Sequence, residues 1–330
     1  MKVLQKKAIR TTGELQNTLA ERNILMKIRH PFLMRLHYAF QTTQKLALVM
    51  DFVNGGDLFH HLQLQKPRRF DNERAAFYAA EIALGIMHLH EKGILYRDLK
   101  PENILIDSDG HIRLTDFGLS KEGFYKKMDR TNTFCGTPEY LAPEVLAGGN
   151  YNNAVDWWGF GALIYEMLTG WAPFYTKDVQ KMYKLKTTAR IGVPDYVSPD
   201  AKKLILRLLD RNPDTRLTDP DKIKAHPWFS GINWDQLLRK EVEPPFKPQL
   251  TSSHSIEMFD QDFIQKSIES EIGVTDQTIE DGNDEMWKDY TYVDEDIKFG
   301  GSWTGFDLHR QEPIPETFQS YSIPTKSGVL

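Results

Sequence analysis

The feature that most restricts how this chain can fold is a charged segment set between two apolar elements. From Asn72 to Glu91, residues Ala76, Phe77, Ala80, Leu84, Met87 and Leu89 recur near a 3.6-residue period, predicting a helix that stops at Gly93. Ile104-Leu105-Ile106, the turn Asp107-Ser108-Asp109-Gly110 and His111-Ile112-Arg113-Leu114 predict a hairpin. Between helix and hairpin lies Tyr96-Arg97-Asp98-Leu99-Lys100-Pro101-Glu102-Asn103, and Asp116-Phe117-Gly118 follows the hairpin. Such a loop has its charges fixed by the elements on either side.

The rest of the chain divides around Asn54-Gly55-Gly56. Before it, Lys2 to Leu4 reads as a strand. Glu14 to Arg29 reads as a helix with Leu15, Leu19, Ile24, Leu25 and Ile28 on its apolar positions, and Leu46 to Met50 as a buried strand. After it, helices dominate: Asn153 to Thr169 with Gly170 at its stop, and Asp200 to Leu209. The pattern predicts a small mixed lobe and a larger helical lobe meeting near Gly55. No apolar run approaches the ~18 residues needed to span a bilayer, so no transmembrane segment is expected. The amino terminus lacks the apolar core of a signal peptide, and the single cysteine, Cys135, excludes an intrachain disulfide. A cytoplasmic or nuclear setting is the default, with cytoplasmic preferred. Charge is uneven: residues 251–300 hold 14 acidic and 3 basic side chains, residues 1–250 hold 29 acidic and 36 basic. An acidic tail joined to a basic body suggests folding back onto it, with a solvated tail as the alternative. No nucleic-acid motif is present.

Asp98 stands five residues before Asn103 and eighteen before Asp116, and Ala142-Pro143-Glu144 follows. In this order the segments resemble the protein-kinase signature set, with Tyr96 where histidine is usual. The resemblance implies an α+β, bilobal kinase fold, with a domain over 1–229 (small lobe 1–53, large lobe 57–229), a tail over 230–295 and an extension over 296–330. It implies ATP and Mg²⁺ as cofactors. Asp98 would accept or orient the substrate hydroxyl proton and Lys100 would neutralise phosphate charge, while Asn103 and Asp116 would hold magnesium through oxygen ligands. Lys2 would be the lysine contacting the phosphates, paired with Glu21. Met50 would be the gatekeeper, Asp51 and Val53 the adenine-binding hinge, and Asp57 the acid near the ribose. A glycine-rich loop should precede such a lysine, and residues 1–330 contain none. Two cases stay open: a chain recorded short at its start, or a nucleotide site open on one side.

Thr131-Asn132-Thr133-Phe134-Cys135-Gly136-Thr137-Pro138-Glu139, Asp156-Trp157-Trp158 and His226-Pro227-Trp228-Phe229 resemble the AGC group of serine/threonine kinases, similar to protein kinase B and the serum/glucocorticoid-regulated kinases. That likeness implies phosphorylation of Thr133 by an upstream kinase such as a phosphoinositide-dependent one, with Arg97 and Lys121 clamping the phosphate. Asn17 replaces a helix histidine that often joins the clamp. Thr137 would pack beside Asp98 and Lys100, and Asp57 and Glu102 would favour protein substrates with basic residues before the serine or threonine. Lys184 occupies a third position, acidic in some relatives. Phe259 to Phe263 resembles the tail segment that crosses the nucleotide, and Trp287-Lys288-Asp289-Tyr290-Thr291-Tyr292 the hydrophobic motif, with Thr291 a second phosphosite. Ser267, Ser270 and Thr275 are turn-motif candidates. Leu25, Leu36, Tyr96 and Phe117 would form a spine between the lobes. His60, His61, His88 and His90 read as packed or surface histidines. The expected function is phosphoryl transfer to protein serine or threonine in intracellular signalling. The alternative is an inactive pseudokinase or fragment serving as a binding scaffold.

Overall fold

The computed structural model describes residues 1–126, 128–252, 255, 258 and 287–297. The small lobe is built on β1 (Lys2–Gln5), β2 (Leu36–Gln41) and β3 (Lys45–Met50), with α1 (Thr12–Lys27) packed on them. Both β1 and β2 pair antiparallel with β3, and Lys2 stands opposite Leu48. Thr11 starts α1 with a capping box: its hydroxyl accepts from the Glu14 amide and the Glu14 carboxylate accepts from the Thr11 amide. That reciprocal pair satisfies two of the donors a helix start leaves open. The inner face of α1 buries Glu21, Ile24 and Leu25, a charged residue among apolar ones.

The large lobe continues with α2 (Leu58–Leu64), α3 (Asn72–Glu91), β4 (Ile94–Leu95), β5 (Ile104–Ile106), β6 (Ile112–Leu114) and β7 (Lys121–Glu122). After these come α4 (Pro143–Leu146), α5 (Ala154–Thr169), α6 (Val179–Thr188), α7 (Pro199–Leu208), α8 (Pro220–Lys224) and α9 (Trp234–Leu238). The helix read from periodicity at Asn72 to Glu91 matches α3 at both ends. Most of α5 is buried on all sides, as expected for a helix inside a lobe. Gly161 makes this possible: a Cβ there would come within 2.7 Å of Leu208 Cβ on α7. At the far end Gly170 takes φ 88° and caps α5, where a side chain would strike the Arg68 carbonyl.

β5 and β6 pair as the expected hairpin, Ile104 opposite Leu114. The loop before it and Asp116 after it therefore lie at one end of the same hairpin. A last strand, β8 (Tyr292–Val293), adds to the open edge of β2, pairing Tyr38 with Val293 and Ala39 with Tyr292. Among the described residues the small-lobe sheet thus runs β1-β3-β2-β8. Leu25, Leu36, Tyr96 and Phe117 are all buried in one hydrophobic core, with the Tyr96 and Phe117 rings edge-on at 5.5 Å. No helix among the described residues is long and apolar enough to cross a membrane.

Candidate active site

One carboxylate fixes the backbone of the charged loop. Asp156, buried in the first turn of α5, accepts hydrogen bonds from the amides of Tyr96 (2.9 Å) and Arg97 (2.8 Å) and lies 2.8 Å from His90 Nε2. With those amides held, Arg97 adopts φ 66°, a conformation non-glycine residues rarely take. The turn that results projects Asp98 into a closed network. Its Oδ2 accepts from Lys100 Nζ (2.8 Å) and Asn103 Nδ2 (2.9 Å), and its Oδ1 accepts from the Thr137 hydroxyl (2.8 Å). Lys100 also reaches Thr137 Oγ1 at 3.2 Å. The four residues named from the sequence as Asp98, Lys100, Asn103 and Thr137 are therefore in direct contact.

The second half of the site comes from the small lobe. Lys2 Nζ donates to both oxygens of Glu21, at 2.7 and 2.8 Å, and stands 3.8 Å from Asp116 Oδ1. Burial alone would lower the pKa of the Lys2 ammonium, but Glu21 and Asp116 outweigh it and raise it above the ordinary lysine value. Asp116 is itself left-handed, at φ 58°, and about a third of its side chain faces solvent. Two strained non-glycine residues flank one site, a pattern associated with function.

The donor set suits a hard cation. Both hydrogen bonds that Asn103 makes to Asp98 use its amide nitrogen, so its oxygen is the atom that could face a cation. Asp116 contributes a partly exposed carboxylate, and oxygen donors of this kind suit magnesium. At the end of β3 Met50 is half-buried, and after it Asp51 accepts from His37 at 2.7 Å and Val53 is buried.

A group of carboxylates adjoins Asp98. Asp57 caps α2 through the His60 amide at 2.7 Å. The pKa of Glu102 is raised, first by the protein around it and further by the charges of Asp57 and Asp98, with Lys100 opposing. Sequence reasoning missed a third member, Glu166. It is buried on α5, accepts from the Tyr140 hydroxyl, and has its pKa pushed up to about 7 by burial, with Glu102 and Glu139 adding. Its spacing in the apolar α5 segment was the available signal, a carboxylate where periodicity calls for a buried residue. Lys184 is exposed on α6.

The two threonines named as phosphosites are both exposed. Neither Arg97 nor Lys121 bonds Thr133 directly. Lys121 donates to Thr131 Oγ1 at 2.9 Å, which lies 3.4 Å from Thr133 Oγ1. Arg97 reaches the Tyr151 hydroxyl, which donates to the Thr133 carbonyl at 2.6 Å. Thr291 precedes β8, and Arg22 contacts its carbonyl at 3.3 Å. Trp287 and Tyr290 are buried edge-on to each other at 5.9 Å, and Arg22 on α1 donates to the Tyr290 carbonyl at 3.1 Å. Ser267, Ser270, Thr275 and the segment from Phe259 to Phe263 lie outside the described residues. The four histidines are packed: His61 on the Gly55 carbonyl at 2.6 Å, His60 edge-on to His61, His88 stacked on His30, and His90 on Asp156.

The protein kinase domain family matches residues 1–229. The chain belongs to the protein kinase family. It is 52% identical over 267 residues to the RAC family serine/threonine-protein kinase homolog of Dictyostelium discoideum, covering 81% of this chain and 60% of that protein. It is 48% identical over 302 residues to human serine/threonine-protein kinase Sgk2, covering 90% and 82%. With YPK1 of Saccharomyces cerevisiae it shares 46% over 296 residues, covering 89% and 43%. These relatives place it in the AGC serine/threonine group. The chain spans about three fifths of the length of the first relatives it matches.

Proposed function

We propose that this kinase transfers the γ-phosphoryl group of Mg-ATP to serine or threonine hydroxyls of proteins. The observation that carries the reading is Lys2 Nζ standing between Glu21 and Asp116 while Asp98, Lys100, Asn103 and Thr137 form one network. In that arrangement Asp98 orients the acceptor hydroxyl and takes its proton as the oxygen bonds to the γ-phosphorus and the bond to the leaving ADP oxygen breaks. Lys100 faces the transferring group, and Lys2 the phosphates that stay behind. Asn103 and Asp116 would hold magnesium, which would supply neutralisation of the phosphate charge. The hinge formed by Asp51 and Val53 beside Met50 takes the adenine, with Asp57 toward the ribose. Lys2 held by Glu21 beside Asp116, together with the closed network around Asp98, favours an enzyme over a binding scaffold.

The carboxylates of Asp57 and Glu102, with Glu166 buried behind them, support a preference for arginine before the phosphorylated residue, since a guanidinium pairs bidentately with carboxylates. Phosphorylation of exposed Thr133 by an upstream kinase would draw Arg97 and Lys121 onto the new dianion and order the loop. Thr291 is the second such site, beside Arg22. A cytoplasmic signalling role fits this reading. The deciding experiment is Asp98→Asn assayed on an arginine-containing peptide. Turnover should fall ~10²–10⁴-fold with unfolding unchanged, the range for a positioned acid–base group. Wild-type turnover in the variant would overturn the assignment.

A further inference from the structure

Two lysines are buried among the described residues, and they are treated oppositely. Lys2 has Glu21. Lys186, on α6, is 0% exposed and has no carboxylate within ion-pair distance among the described residues. Its ammonium donates instead to three backbone carbonyls, those of Pro138 (2.6 Å), Glu139 (2.7 Å) and Leu141 (3.0 Å). An ammonium has three protons, and here each has an acceptor. Desolvation draws its pKa down to about 7, with Glu139 pulling the other way.

Both ends of this contact are fixed by other groups. Arg211 donates to the Lys186 carbonyl at 2.6 Å and to that of Ala189, which holds the end of α6. The loop that supplies the three carbonyls starts immediately after Thr137, whose hydroxyl bonds Asp98, and includes Tyr140, whose hydroxyl bonds Glu166. A loop of four residues, Pro138 to Leu141, thus connects the acceptor-side contact of Asp98 to the buried acid Glu166, and Lys186 gathers its backbone at one point. A buried lysine costs free energy relative to an apolar residue of similar length, so its presence needs a reason other than packing.

We propose that Lys186 is a positioning residue for the protein substrate: by holding the Pro138, Glu139 and Leu141 carbonyls it fixes the loop that sets Thr137 against Asp98 and lies beside the acceptor residue. The inference rests on the kinase reading of the site. Methionine at this position keeps the length and removes the donors. Arginine keeps the charge, but its planar fork does not match three converging carbonyls.

The test uses the full chain and a peptide library with arginine three residues before a serine and one varied residue after it. In Lys186→Met, peptide kcat/KM should fall ~10–100-fold, the scale of an ångström misplacement near the chemistry. KM for ATP should stay within about two-fold, because the Lys186 contacts include neither Lys2 nor Asp116. Hydrogen exchange should rise across 136–142 and not in α5, and Lys186→Arg should recover part of the peptide effect. Lys186→Gln, which keeps two of the three donors and loses the charge, supplies the same comparison should the methionine variant not fold. Unchanged peptide kinetics in an active enzyme would overturn the proposal, as would equal losses for peptide and ATP with α5 loosened as well. If the wild-type chain phosphorylates no peptide, the kinase reading fails on its own. Exchange across 136–142 then still decides whether Lys186 holds the loop.

Discussion

Residues 96–103 and residues 287–297 are each tied to the body of the protein by one buried aspartate, and the two ties are made of different partners. Asp156 binds the main chain of the loop, the amides of Tyr96 and Arg97, and its one side-chain contact, His90, lies outside the loop on α3. Asp294 binds side chains: Arg29 NH2 at 2.7 Å on one oxygen and Arg35 Nε at 2.7 Å on the other. Amides cannot rotate away, so the first tie fixes geometry and leaves the loop one conformation. Guanidinium groups on long stems, about a third exposed, can let go. The difference suits what each segment would do under the proposed function. A catalytic loop needs fixed atoms, whereas a tail that braces α1 is useful if it can be released.

Breaking the first tie should have the largest effect. In Asp156→Ala two buried amides lose their acceptor, at roughly 1–3 kcal/mol each, so the fold should lose about 2–6 kcal/mol. Urea unfolding would measure this, and turnover should fall ~10²-fold or more as Asp98 loses its position. A variant as stable and active as wild type would mean that the loop holds its own shape. The second tie should separate from the fold. Trp287→Ala should leave unfolding of the large lobe unchanged, raise hydrogen exchange in α1 and lower turnover by ~10-fold, or about 1.4 kcal/mol of barrier. The link is Tyr290, whose hydroxyl pKa is raised by burial and by the nearby charge of Glu21. Equal exchange in α1 would make the tail a passive linker.

The sequence disclosed these regions unequally. α3 is recognisable residue for residue because its apolar period and terminal glycine agree. The Asp98 network is recognisable through the kinase resemblance, whose motifs carry all of its members within forty residues. The Lys186 contact is not, since Lys181, Lys184 and Lys186 on α6 all look like solvated lysines, and only the tertiary structure turns one inward. β8 is two residues long and pairs with a strand more than 250 residues away, beyond any local pattern. Trp287 and Tyr290 stand out as aromatics in an acidic stretch, but Asp294 is one of 14 acids between 251 and 300, and nothing local distinguishes it.

That aspartate leads to the smallest and most discriminating expectation. Trp287 and Tyr290 bury their rings, yet Trp287 Nε1 and the Tyr290 hydroxyl have no hydrogen-bond partner among the described residues, which subtracts roughly 1–3 kcal/mol each from the gain. Docking by aromatics alone is therefore weak, and the Asp294 clamp decides it. Hydrogen bonds between charged groups contribute about 1.5–3 kcal/mol, toward the lower end here because the arginines are partly solvated. In dephosphorylated protein, Asp294→Asn should expose β2 to hydrogen exchange, while Thr291→Ala should not. Phosphorylation of Thr291 should add a smaller increment through Arg22, which already reaches its carbonyl. The Arg35 contact holds the Asp294 carboxyl below its usual value near 3.8. Its contribution is then fully present above that value and is lost only as pH falls through the lowered one, so docking should be flat from pH 8 to 5. If β2 becomes protected only after Thr291 is phosphorylated, the phosphate and not Asp294 is the switch, and the tail is released by default.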